Sequence, residues 1–367
     1  PIKSSAASDV YKRQTMKPYI YLRGLRHVDL SVFCVESGQK SYWDPVFNVR
    51  VPFSSGQQVK RSILDTINSE LQVDPSSVTF VFDVNNKGAL GEGEVLSLCD
   101  PQYYDQLLGG WMRAAKGGKE RTLKRRSPFS ISAMRLLHPL LGGRFSENAT
   151  FDRSDKPEIH KVVVRDASGK PMSEEAVEEL LAGTDRSLYR KWIPDNARAT
   201  GLFVYDVAID LRTLFAVSVN QMEPELTKEK IEELKGKGWI SSRNIFGECL
   251  IMPKESRDKA IPAIAKALIN WRISSNQSRT FSLMETLAIA ISDNANTLAG
   301  AIRAKLIDDS EKTKAKPMVD ETAGAELFVT LPCSGYMVTE TESADALQKA
   351  EERLIELLSA FDYENQK

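Results

Sequence analysis

Apolar and polar residues alternate soon after the chain's first polar stretch. Tyr19–Leu22 reads as a strand. So does His27–Val35, where Val28, Leu30, Val32 and Cys34 alternate with Asp29, Ser31 and Phe33. After a polar loop, the spacing of Val59, Ile63, Leu64, Ile67 and Leu71 predicts an amphipathic helix, with Ser54 or Ser55 as its cap and Gly56 in its approach turn. Val78–Val84 reads as a short apolar strand, and Val162–Arg165 as another ending in the turn Asp166–Gly169. Ser173 opens a capped helix with Ala176, Val177, Leu180 and Leu181 inward. Gly201–Leu211 is the clearest strand. Thr227–Lys235 predicts a helix stopped by Gly236, and Arg257–Ile273 a longer one that Pro262 must kink unless it lies in the first turn. Phe281–Ile307 reads as mostly apolar helix, Glu326–Leu331 as a last strand, and Ala344–Phe361 as a final amphipathic helix.

The resulting order is β-α-β, a long insertion, then β-α-β. It predicts an α+β fold with a ferredoxin-like or RRM-like palm, a long thumb insertion and helical decorations. That platform often binds RNA, though a fold alone fixes no function. The 367 residues fit about two domains, or one large domain with insertions. We divide them into a tail at 1–15, a first palm half at 16–106, a basic insertion or thumb at 107–200, a second palm half with helices at 201–335, and an acidic C-terminal helix at 336–367. The opening string resembles translated adapter sequence, so residues 1–15 are read as a non-native or disordered tail ahead of Met16.

The four cysteines, Cys34, Cys99, Cys249 and Cys333, lie far apart and form no CxxC pair, and there are three histidines. A zinc site or a disulfide framework is therefore not expected, and a reducing cytoplasm is. No apolar run is long enough for a membrane span. The net charge of −1 hides an asymmetry: Asp308 to Lys367 holds 14 acidic and 6 basic residues, and the rest 43 basic and 36 acidic. Between Arg113 and Arg126 lie Arg113, Lys116, Lys119, Arg121, Lys124, Arg125 and Arg126 against Glu120 alone. Such a block reads as a phosphate-facing patch, a mobile tether or a solvated loop.

No P-loop, GxGxxG, GxSxG or HExxH motif occurs, and the residues favour a binding module over an enzyme. Three segments suit phosphate. Ser54, Ser55, Gly56, Gln57, Lys60 and Arg61 put hydroxyls, backbone N–H groups and two cations at a helix N-terminus, where the dipole favours anions. Lys124, Arg125, Arg126, Ser127 and Phe129 join cations to a hydroxyl and a ring that could stack on a base. Asn276, Ser278 and Arg279 sit in a polar turn able to bond phosphate or a base edge. Each also has a plain structural reading, as a capped helix with a solvated basic pair, a basic loop and an inter-helix loop.

The string FNVRVPFSSGQQVKRSI resembles the strand–loop–helix signature of the CRISPR-associated RAMP superfamily backbone subunits, the "Cas seven" or DevR-like branch. Pro52, Ser54, Ser55, Gly56, Gln57, Lys60 and Arg61 match it, and Arg125–Pro139 resembles a Ser-Pro-containing stretch of the same family. The likeness is specific over about the first 140 residues and topological beyond. It implies a subunit that polymerises along a guide RNA (crRNA), holds its backbone on the palm and inserts a hairpin thumb between nucleotides. It further implies as partners target RNA or DNA, further copies of the chain, a Cas-five-like cap subunit and a separate effector nuclease, with no membrane. The subtype stays open among type I-like, type III-like and type VII. Target-cutting branches carry a catalytic Asp ahead of the Pro–Ser–Gly segment, and Asp44 stands in that place. It would serve as a general base or bind Mg2+, the one cofactor implied, and Asp44-Pro45 reads equally as an ordinary turn.

Overall fold

The computed structural model describes residues 17–33, 38–115, 117, 120–273 and 281–366. The chain is α+β, and its main sheet pairs only antiparallel strands. The sheet order is Glu326–Val329, Thr286–Ser292, Tyr19–Ser31, Arg190–Asp210, Met134–Leu136, Val49–Ser54, Ser41–Asp44. Phe129–Ile131 and Gly142–Asp152 also pair with the long strand Arg190–Asp210.

The first two expected strands are one. Tyr19–Ser31 runs unbroken because Arg23, Gly24, Leu25 and Arg26 all belong in it. Period-2 alternation sends Ile20, Leu22, Arg26 and Val28 to one face and Tyr19, Tyr21, Arg23, Leu25 and His27 to the other. The first face packs under helices Gly56–Leu71, Lys254–Asn270 and Ala346–Ser359. Gly24 is required there, since a Cβ would lie 2.2 Å from the ring of Tyr205 on the neighbouring strand. Arg26 is fully buried on this same face. It donates to the carbonyls of Trp271 at 2.6 Å and Ile269 at 2.7 Å, where the helix Lys254–Asn270 ends, so its charge meets the negative end of the helix dipole. Burial lowers its pKa to about 10. The second face carries a smaller apolar cluster of Leu25, Leu202, Val204, Leu298, Ile302 and Val329 under the short helix Ala295–Ala301.

Three expectations fail for physical reasons. Phe281–Ile307 is not a helix: it contains strand Thr286–Ser292, helix Ala295–Ala301 and strand Ile302–Asp308. The strand lies between two others with both faces covered, so its apolar run has no period to read. Val162–Arg165 forms no strand, only a bridge between Arg165 and Pro171. Helix Glu174–Leu181 is capped by Ser173 as expected but buries no residue, and Leu180 is 60% exposed.

The region 107–200 divides in two. Leu107 and Leu108 join the core, and Leu123–Arg125, Phe129–Ile131 and Met134–Leu136 stay close to it. Beyond Gly142 the chain leaves as a hairpin arm. From Arg190 to Arg198 the long strand pairs, among the described residues, only with Gly142–Asp152. That is a reach of about 30 Å at ~3.3 Å per residue. The arm departs where Gly142 and Gly201 face each other so closely that a Cβ on Gly201 would sit 2.4 Å from the Gly142 Cα. No helix among the described residues is long and apolar enough to cross a membrane.

Candidate nucleic-acid interface

The helix Gly56–Leu71 begins as its sequence directs. Ser55 is the cap, and its Oγ accepts from the Gln58 N–H at 3.3 Å. A Cβ at Gly56 would lie 2.8 Å from the Ile131 carbonyl oxygen, so glycine lets the helix start against the sheet. The other members of the segment are largely committed. Ser54 is buried and its Oγ donates to the Gln58 side chain at 2.8 Å. Lys60 Nζ donates to the Gly109 carbonyl at 2.9 Å, and burial lowers its pKa to about 8. Arg61 pairs with Asp65 at 2.9 Å on the exposed helix face. Of the residues at the helix start, Gln57 is the exposed one.

The basic segment is split by strand alternation. Arg125 is 4% exposed and points inward. Its guanidinium donates to the carbonyls of Leu107, Thr213 and Ala216 and pairs with Glu225 at 3.2 Å. It is therefore a structural cation rather than a phosphate ligand. Desolvation lowers its pKa, with Glu225 opposing. Ser127 Oγ donates to the carbonyls of Leu108 and Phe129, and the Phe129 ring is 2% exposed, so neither is open to a base. Lys124 and Arg126, on the opposite face, are exposed. Lys116 and Lys119 of the same block lie outside the described residues, as do Asn276, Ser278 and Arg279.

Asp44 is a turn-maker. Its Oδ1 accepts from the N–H groups of Val46 at 3.0 Å and Phe47 at 2.9 Å. Phe47 packs edge-on against His138 with ring centroids 4.6 Å apart. Desolvation lowers the His138 pKa, and Asp44 acts the other way. One carboxylate oxygen of Asp44 is thus committed to its own turn, and no group of three potential metal ligands occurs among the described residues.

The arm was located only as an insertion by the sequence, and it carries the chemistry that the basic segment lacks. Phe145, Phe151 and Trp192 are 55%, 54% and 61% exposed. Cations accompany them: Arg198 lies opposite Phe145 and Lys191 opposite Phe151. The Arg153 guanidinium lies over the Phe151 ring at 4.3 Å, and Arg190 pairs with Asp152 at 2.6 Å. No strand is expected from the sequence at either segment of the arm, and the pairing alone brings these rings together on it. Within the main sheet, Arg23 and Arg135 both pair with Asp206, at 2.6 Å and 3.1 Å.

No family model matches the chain, and no curated protein does. Among solved structures it is similar to a chain of a "CRISPR RNA-guided surveillance complex, pre-nicking". There the identity is 9%, the TM-score 0.42, and the likeness covers 92% of this chain and 89% of that one. It is likewise similar to a chain of a "CRISPR RNA-guided surveillance complex", at 11% identity and a TM-score of 0.35, over 95% of each chain.

Proposed function

We propose that the chain is a guide-RNA-binding backbone subunit of a CRISPR effector, with the main sheet as a ferredoxin-like palm and the hairpin arm as its thumb. The arm carries the reading. Exposed rings beside cations on a two-stranded arm are what a single strand needs, because rings stack on bases and cations track phosphates. The Pro52–Arg61 segment supports it through its resemblance to the family signature. In this reading the subunit polymerises along the guide and presents it to target RNA or DNA, beside a cap subunit and a separate nuclease. The rival, target-RNA cutting through Asp44, has less support, since that carboxylate holds its own turn.

Co-expression with a guide RNA tests the reading. A co-purifying RNA of uniform length, lost in Phe145→Ala/Trp192→Ala, is the expected result. An RNA-free monomer overturns it.

A further inference from the structure

The basic segment and the small sheet formed by Ala216–Ser218, Ile240–Asn244 and Gly247–Ile251 enclose a cleft of about 1110 Å³. It lies at the Tyr19–Asp210 end of the palm, while the arm leaves near Ser31 and Ala199. It is open along one side, as a site for an extended ligand must be.

One wall is a ladder of flat groups. Tyr19 lines the cleft and stacks on Tyr21, outside the lining, with centroids 5.8 Å apart and planes 21° from parallel. The Arg212 guanidinium lies 5.0 Å from the Tyr19 ring and 5.0 Å from the Phe246 ring, bridging them. Arg212 is held rigidly, donating to Asp210 at 2.8 Å and to the Tyr19 hydroxyl at 2.9 Å. Phe246 tops the ladder at the turn between Asn244 and Gly247 and is 57% exposed. Lys124 and Arg126 line the other wall, exposed and, among the described residues, without an ion-pair partner. Most acidic residues of the lining are already paired: Asp210 with Arg212, Glu225 with Arg125, and Glu248 with Arg243. Glu120 and Glu223 also line the cleft.

We propose that this cleft is a second station for single-stranded nucleic acid, with a base stacked on Phe246 and its phosphates on Lys124 and Arg126. The station rests on the guide-RNA reading and extends it from the arm to the opposite end of the palm. The ring sought at Phe129 is supplied across the cleft by Phe246. A solvent-facing ring backed by a fixed guanidinium has a partner on one side only, and stacking on the other side is indifferent to base identity.

The test is anisotropy titration of labelled oligouridylate and oligothymidylate against the full chain. Phe246→Ala should weaken binding of either probe by roughly 5- to 100-fold, and Phe246→Trp should restore it. Lys124→Ala/Arg126→Ala should flatten the log K against log salt slope for oligouridylate by about 1.4, two phosphates at ~0.7 each. A loss confined to oligouridylate assigns the station to RNA, and a loss with both assigns it to either strand, each in support. Unchanged affinity in a folded Phe246→Ala chain overturns the station. If the arm variant Phe145→Ala/Trp192→Ala still loses the guide, the guide-RNA reading survives that failure. Assembly of RNA-free chains that depends on Phe246 would show a protein occupant instead and also overturn it.

Discussion

Arg26 lies over Trp271 with its guanidinium carbon 4.2 Å from the ring centroid and donates to the backbone carbonyl of that same residue. One residue thus fills the gap between sheet and helix and satisfies the helix's last carbonyls. Arg26→Leu should cost about 1–3 kcal/mol, since it leaves the buried Ile269 carbonyl unpaired while the Trp271 carbonyl keeps the Arg272 guanidinium at 2.9 Å. Urea unfolding measures this, and a loss under ~1 kcal/mol would show that water replaces the guanidinium.

Gly24→Ala should destabilise the protein by about 1–3 kcal/mol through overpacking against Tyr205. The Tyr205 hydroxyl is anchored on the Leu268 carbonyl at 2.7 Å, so its ring has little room to yield. A thermal melt of the variant at unchanged pH is sufficient.

Lys60 should make stability rise with pH over a defined window. Its folded pKa of about 8 lies below its ordinary value of 10.5 because burial disfavours the ammonium. Between those values the unfolded chain binds more protons, so raising pH favours the fold. Below about 8 the penalty is constant, and above the unfolded value it is gone. The stability of wild type relative to Lys60→Met should therefore climb across that window, and a flat difference from pH 7 to pH 11 would show a solvated ammonium.

Asp44→Asn should preserve the turn, because the amide oxygen still accepts from Val46 and Phe47, and stability should stay within ~0.5 kcal/mol. Any cutting of complementary RNA by an assembled complex should survive the change. Loss of metal-dependent cutting with guide binding intact would instead make Asp44 the general base or metal ligand.

The arm's rings should be dispensable for folding. Phe145→Ala with Trp192→Ala should leave the melting temperature within a few degrees, as both side chains are more than half exposed. A large drop would mean that they brace the hairpin.

Local patterns showed much of this in advance. Ser55, Ser173 and Thr227 each cap the helix their sequence announced, because capping is settled within four residues. What sequence could not show was partnership. Arg125 and Arg126 are adjacent and chemically alike, yet one is buried on carbonyls from Leu107, Thr213 and Ala216 and the other is exposed. Those acceptors come from segments far along the chain. Likewise Phe246 and Arg212 announce no motif, and only the fold stacks them on Tyr19.

The bulge in the arm has a consequence for how such a chain can diverge. Between Glu147 and Ala149 the register with the long strand slips, and Asn196 and Ile193 stand opposite where one intervening residue would suffice. A period-2 strand would otherwise transmit every insertion in the core as a flip of the outer faces. The slip works as a gear between two segments of one strand. Inside it, Gly142–Glu147 pairs with Asn196–Gly201; outside it, Ala149–Asp152 pairs with Arg190–Ile193 in a register of its own. The two sides of the slip set their registers separately, so a change of length in the tip leaves the pairing of the main sheet in place.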